Sequence, residues 1–259
     1  MAISLASLNR RNSPKVPICT FYGPPGWGKT TFACGSDSPV LLAIEDGVGL
    51  LQTEHWSLAS FDEVMEAMAV LATEEHGFKS LVIDSLDWLE SLIWRKVCAD
   101  NHWDNISQPD YGKGYGAADV VWDQYFNCIE YLRDHKRMMI LQLAHSEIKT
   151  YKSPDTDHYD QHQIKLHKNA AAKVREHSDI IGYTGYRVSV KEVKGGFSKT
   201  KQGVGIGQHV LHLQERPSQV SKNRFSLPAT IDIPFVEHAH ERPELVWAPF
   251  AAHLPQFAA

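Results

Sequence analysis

Residues 23–30 read Gly-Pro-Pro-Gly-Trp-Gly-Lys-Thr and fit the pattern G-x-x-x-x-G-K-[ST] at every fixed position. This run constrains the fold more than any other feature, because it works only between a strand and a helix. Its glycines permit backbone torsions that side chains forbid, so successive N–H groups can converge on phosphate oxygens. The helix that follows adds the positive end of its dipole. The flanks supply that context: Val16 to Tyr22 is an apolar run of strand length, and a helix is expected from about Lys29. A random chain of this length would match roughly once in a hundred, so a merely decorative turn is set aside. The pattern implies a nucleoside triphosphate held with magnesium. Gly23, Pro24, Pro25, Gly26, Trp27, Gly28, Lys29, Thr30 and Thr31 are the candidate contacts. Lys29 is expected to reach the β- and γ-phosphates, the Thr30 hydroxyl to ligate magnesium, and Thr31 to lie near the α-phosphate.

Downstream, apolar runs of strand length alternate with helical patterns. Strands are expected at Val40–Ile44, Leu81–Ile83, Met138–Leu143 and His209–Leu213, with one or two more within Ile180–Val193. Helices are expected at Phe61–Glu75 after a Ser60 cap, at Asp87–Asp100, at Ala117–His135 and at Asn169–Glu176. Residues 101–116 and 146–167 read as loops, 194–207 as a glycine- and lysine-rich turn, and the proline-rich tail as mostly irregular. Such alternation implies an α/β fold, with a mainly parallel central sheet and helices on both faces. A terminal arm (1–14), one core domain (15–235) and a tail (236–259) are the expected divisions.

Carboxylates stand where a triphosphate site needs them. Asp84 ends the apolar run Leu81-Val82-Ile83 and suits the magnesium shell. Glu45 ends the second strand, and ligands gather at the carboxyl ends of parallel strands. It is the preferred group to orient or deprotonate the attacking water, with Asp46, Asp87 and Glu90 as competitors. His145 closes the fourth strand and can sense the γ-phosphate through a hydrogen bond. Elsewhere the chemistry is thinner. Cys19, Cys34, Cys98 and Cys128 have no metal or redox spacing and read as reduced thiols. The run Glu237-His238-Ala239-His240-Glu241 is the densest histidine cluster and a weak metal pattern. Net charge is −5, but residues 40–130 hold seventeen acidic and four basic side chains while 131–259 hold thirteen and eighteen. One face is therefore suited to meet phosphates. With no apolar run near the roughly 18 residues needed to span a bilayer, a membrane partner is not expected and the cytoplasm is the default.

The sequence lacks an arginine-rich lid, an Asn-Lys-x-Asp base reader and a Leu-Ser-Gly-Gly-Gln signature. What remains is a glutamate after the second strand, an aspartate after the third and a polar switch after the fourth. This arrangement resembles the RecA-like P-loop NTPase cores. Gly23–Thr31, Glu45-Asp46-Gly47, Val82-Ile83-Asp84-Ser85, Ala144-His145-Ser146, Ser178-Asp179-Ile180-Ile181 and Lys222-Asn223-Arg224-Phe225-Ser226-Leu227-Pro228 are most similar to the phage nucleotide-binding proteins of the Sak single-strand annealing group. In one departure, Ala43 stands where RecA-like proteins usually carry an acid.

The resemblance implies an ATPase with ATP and magnesium as cofactors. It implies single-stranded DNA as partner, self-assembly into a filament or ring, and a role in annealing or strand pairing during phage recombination. Replication or single-strand-binding proteins would be further partners, and the host cytoplasm the location. DNA would meet two segments: Asn101–Gly116, with Trp103, Tyr111, Lys113 and Tyr115, and Glu147–His167, with Lys149, Lys152 and Lys165. Aromatic rings offer stacking platforms there and lysines phosphate contacts. Lys222 and Arg224 have no acidic neighbour in sequence, and are expected to reach ATP held by an adjacent subunit or to bind DNA. Two readings compete with this one: an ATPase switch or motor acting on proteins in assembly or packaging, and an annealing protein with negligible turnover.

Overall fold

The computed structural model describes residues 15–152, 157–195 and 198–255; the expected arm, 1–14, lies outside them. Six parallel strands form the centre: β1 (Ile18–Gly23), β2 (Pro39–Ala43), β3 (His55–Ser57), β4 (Ser80–Asp84), β5 (Met139–Tyr151) and β7 (Ile180–Gly195). With β8 (Ser198–His212) and β10 (Thr230–Ile233), the order is β10-β8-β7-β1-β5-β4-β2-β3. The pairs β7–β8 and β8–β10 are antiparallel. β6 (Tyr159–Ile164) pairs with β5 off this path, and β9 (Lys222–Asn223) with β7.

Side chains alternate across the sheet, and each face has its own core. Ile18, Tyr22, Leu42, Ile83 and Ile140 point to one side. There they meet α2 (Phe61–Thr73), α3 (Leu86–Asn101), α4 (Lys113–His135) and α5 (Lys168–His177). Cys19, Phe21, Leu41, Val82 and Leu141 point to the other, against α1 (Lys29–Cys34) and α6 (Pro243–Ala251). This is the α/β sandwich expected from the alternation. One polar chain crosses the buried centre: Tyr125 donates to Gln142 (2.9 Å), Gln142 to Thr20 (3.0 Å), and Thr20 pairs with Ser178 (2.7 Å). Each partner satisfies the next, which is what makes burying them tolerable.

Local signals explain the best-placed boundaries. Ser60 caps α2 through a reciprocal box: its Oγ accepts from Glu63 N–H (3.2 Å), and the Glu63 carboxylate accepts from Ser60 N–H (3.1 Å).

Three expectations need correction, and one helix is new. Residues 146–167 are not simply a loop, since β5 runs on to Tyr151 and folds back through β6 as an antiparallel pair; residues 153–156 lie outside the described set. Residues 194–207 are not an isolated turn, because β7 up to Gly195 and β8 from Ser198 pair antiparallel, residues 196 and 197 lying outside the described set. Helix α4 begins at Lys113 rather than Ala117. The tail is mostly irregular, as expected, but it also holds an unexpected helix: α6 buries Val246, Trp247 and Phe250 against α1. A Cβ at Gly35 would lie 2.1 Å from the Pro243 carbonyl oxygen, so the absence of a side chain there lets the two helices meet. Residues 146–164 carry many polar side chains with no strict alternation, so no local period announces the β5–β6 pair.

Candidate functional site

The phosphate loop joins β1 to α1 as the pattern requires. Gly28 caps α1 in a left-handed conformation (φ 92°) that a side chain would strain. The Trp27 ring turns away from the cavity. It is 1% exposed, donates its indole N–H to the Gly185 carbonyl (2.8 Å) and stacks on His209 at 5.1 Å. Its side chain therefore fastens the loop to the β7–β8 hairpin, leaving only its main chain near a ligand. Trp27→Ala is expected to destabilise the fold by about 3–5 kcal/mol, lowering the melting temperature by roughly 10 °C. Differential scanning calorimetry measures it, and an unchanged melting temperature would show the indole to be dispensable.

A cavity of about 410 Å³ opens over the loop. It is lined by Pro25, Gly26, Gly28, Lys29, Thr30, Thr31, Glu45, Asp84 and His145, together with residues 47–51 and His240. Lys29 Nζ donates to the carbonyls of Pro24 (3.0 Å) and Gly23 (3.3 Å). Burial pushes its pKa down, against the pull of Asp84, Asp87 and Glu45. Thr30 Oγ1 donates to Asp84 Oδ2 at 2.6 Å. Burial raises Asp84, and that hydrogen bond opposes the rise. A hydroxyl and a carboxylate side by side are an oxygen-only donor set, which fits magnesium. An ammonium desolvated beside them fits the phosphates.

Glu45, Ser85, Asp87 and His145 form a connected group. Ser85 Oγ donates to Glu45 Oε2 (3.1 Å) or to Asp87 Oδ1 (3.0 Å). Asp87 accepts from the His145 backbone N–H (3.1 Å) and pairs with its Nδ1 (3.0 Å). The His145 ring lies 4.0 Å from Glu45. The hydrogen bond to Asp87 raises His145 against the effect of burial. Asp87 is pushed up by burial, but its bonds to His145 outweigh this and hold it low. The His145 contribution is fully present below its ordinary value of 6.5 and fades as pH rises through the raised value. The Asp87 contribution is present above 3.8 and is lost as pH falls through its depressed value. The melting-temperature gap between wild type and Asp87→Asn is therefore expected to be widest between 3.8 and 6.5 and to narrow as pH rises through the raised His145 value. A gap independent of pH would remove the pair as a charged contact.

The competitors for Glu45 stand elsewhere. Asp87 is committed to His145. Both Glu90 oxygens accept the His167 backbone N–H (3.0 and 3.1 Å), and burial, opposed by that bond, lifts its pKa to about 7. Asp46 is exposed and does not line the cavity.

The expected DNA segments divide. Tyr111 is 98% exposed with φ 59°, and Lys113, Lys152 and Lys165 are exposed. Trp103 packs partly buried against the core, and Tyr115 stacks on His167 at 4.2 Å, so neither ring is free in this conformation. Lys149 is bridged to Glu147 at 2.7 Å. The Lys165 N–H donates to the His145 carbonyl (2.9 Å), tying the second segment to the end of the parallel part of β5.

Lys222 and Arg224 do not reach their own chain's cavity. β9 pairs with Ile180 and Ile181, at the starting end of the parallel strands. That is about 15 Å of strand from the phosphate loop. Contrary to the expectation of no neutralising acid, Arg224 pairs with Asp179 at 3.2 Å. Lys222 Nζ donates to the carbonyls of Arg175 (2.5 Å) and Glu176 (3.2 Å) at the end of α5. Sequence reasoning also missed Ser85, Asp87 as the His145 partner, and His240. A serine beside the Asp84 strand end was legible as a polar neighbour, whereas His240 reaches the cavity only because α6 docks.

A profile of the AAA domain family AAA_24 matches residues 16–225. The chain belongs to this AAA domain family. Among solved structures it is similar to the RadB recombinase crystal structure, at 12% identity and a TM-score of 0.50, over 89% of this chain and 90% of that one. At that identity the likeness shows the fold alone, and this AAA domain has a RecA-like P-loop fold. A search of curated proteins gave no match. No helix among the described residues is long and apolar enough to cross a membrane.

Proposed function

We propose that this AAA domain is an ATP- and magnesium-dependent ATPase that binds single-stranded DNA and promotes annealing or strand pairing in phage recombination, as a Sak-type protein. The observation that carries this reading is the convergence of Lys29, Thr30, Asp84, Glu45 and His145 on one cavity. The strand that bears His145 continues directly into the β5–β6 pair. Lys29 would bind the β- and γ-phosphates, and Thr30 and Asp84 would hold magnesium. When bound, that ion neutralises phosphate charge. Glu45 orients the attacking water and takes its proton, while His145 reports the γ-phosphate to the hairpin.

Tyr111, Lys113, Lys152 and Lys165 are the exposed DNA contacts. Trp103 and Tyr115 join them only by leaving their present partners. ATP lies between subunits: Lys222 and Arg224 sit at the end of the sheet opposite the phosphate loop, so head-to-tail stacking brings them to a neighbour's triphosphate.

The test is steady-state ATP hydrolysis over a range of protein concentrations, with and without single-stranded oligonucleotides. Specific activity is expected to rise with protein concentration and with DNA. The Lys222→Ala/Arg224→Ala variant should bind nucleotide but lose turnover. DNA affinity should fall steeply with salt, as phosphate contacts require. Turnover indifferent to DNA, with no salt-dependent binding, would sink the DNA assignment and favour a protein-directed switch.

A further inference from the structure

The turn that brings His240 to the cavity wall holds donors that the phosphate chemistry leaves unused. His238, His240 and Glu241 each offer one ligand atom, and these atoms all lie within 4.8 Å of one another. The two imidazoles stand 5.9 Å apart, centre to centre, with their planes at 80°. The backbone that presents them is closed by two hydrogen bonds, Glu241 N–H to the His238 carbonyl (2.9 Å) and Arg242 N–H to the Ala239 carbonyl (3.2 Å). His238 adopts a left-handed conformation (φ 52°) within this turn. Immediately after, α6 anchors the segment through buried Val246, Trp247 and Phe250. The donors are thus held on a scaffold tied to α1.

The chemistry of the set selects its ligand. Two imidazole nitrogens and one carboxylate oxygen suit borderline divalent ions such as zinc, cobalt or nickel. Magnesium takes oxygen donors, and those are at Thr30 and Asp84. Three protein ligands leave a coordination position open. Because His240 lines the phosphate cavity, an ion held here stands at the wall of a site built for anions. We propose that His238, His240 and Glu241 bind a divalent transition-metal ion of the zinc class, distinct from the magnesium position.

The test is titration of the tag-free full chain with cobalt(II), without nucleotide, followed by visible absorption and reversed by zinc. One equivalent is expected to saturate the spectrum. His238→Ala and Glu241→Gln should each weaken binding by about tenfold or more, equivalent to about 1.4 kcal/mol. Both residues are exposed, so both variants should keep the wild-type melting temperature. Lys29→Ala should titrate like wild type. The proposal fails if no saturable cobalt spectrum appears, or if His238→Ala and Glu241→Gln bind cobalt as wild type does, which would place the ion on other histidines. Because no nucleotide is present, failure here leaves the ATPase reading standing, and success does not depend on it.

Discussion

Glu45→Gln should lower ATP turnover by about 10²–10⁴-fold, the usual contribution of a positioned general base, while leaving nucleotide affinity near that of wild type. The amide keeps the volume of the acid and can still accept the Ser85 hydrogen bond, so the cavity wall is preserved. It cannot accept a proton from water. Separating the two effects takes a binding measurement with a fluorescent ATP analogue alongside steady-state hydrolysis. Asp87→Asn is the informative companion. Asp87 accepts from the His145 main chain and pairs with its ring, so its loss should loosen His145 and weaken any DNA-dependent change in turnover rather than abolish hydrolysis. If Glu45→Gln turned over at the wild-type rate and Asp87→Asn did not, the water-activating role would pass to Asp87.

Lys29→Ala should cost about 10²-fold or more in ATP affinity. Two hydrogen bonds from an ammonium to phosphate oxygens are worth about 1.5–3 kcal/mol each, and each 1.4 kcal/mol is tenfold. The variant should lose no thermal stability without nucleotide. Burial already disfavours the charged side chain, and among the described residues its Nζ hydrogen-bonds to two loop carbonyls. Melting with and without ATP makes the contrast direct. Ligand at a hundredfold excess over its dissociation constant stabilises wild type by about 2.7 kcal/mol, and most of that shift should vanish in the variant. A full ATP-induced shift in Lys29→Ala would mean that the triphosphate is not held where the loop points.

What could be read from residue order alone was whatever depends on local spacing. The phosphate loop, the strand before it, the helix after it and the aspartate at the end of β4 are all fixed by short-range pattern. The torsions that glycine permits and the apolar run of a buried strand are local properties. The capping box at Ser60 is another, since both of its bonds close within four residues. Tertiary structure alone decided which side chains meet. Trp27 sits inside the phosphate motif, yet its ring is taken by Gly185 and His209, far along the chain. Tyr115 looked like a free stacking platform until α5 brought His167 against it. Arg224 looked unpaired until β9 set it beside Asp179. Asp87 and His145 become one unit because α3 and β5 converge at the same end of the sheet, and His240 joins the cavity because α6 packs on α1. Partners so distant along the chain leave no periodic trace, so the sequence could name the groups that do chemistry but not which of them would be free to do it.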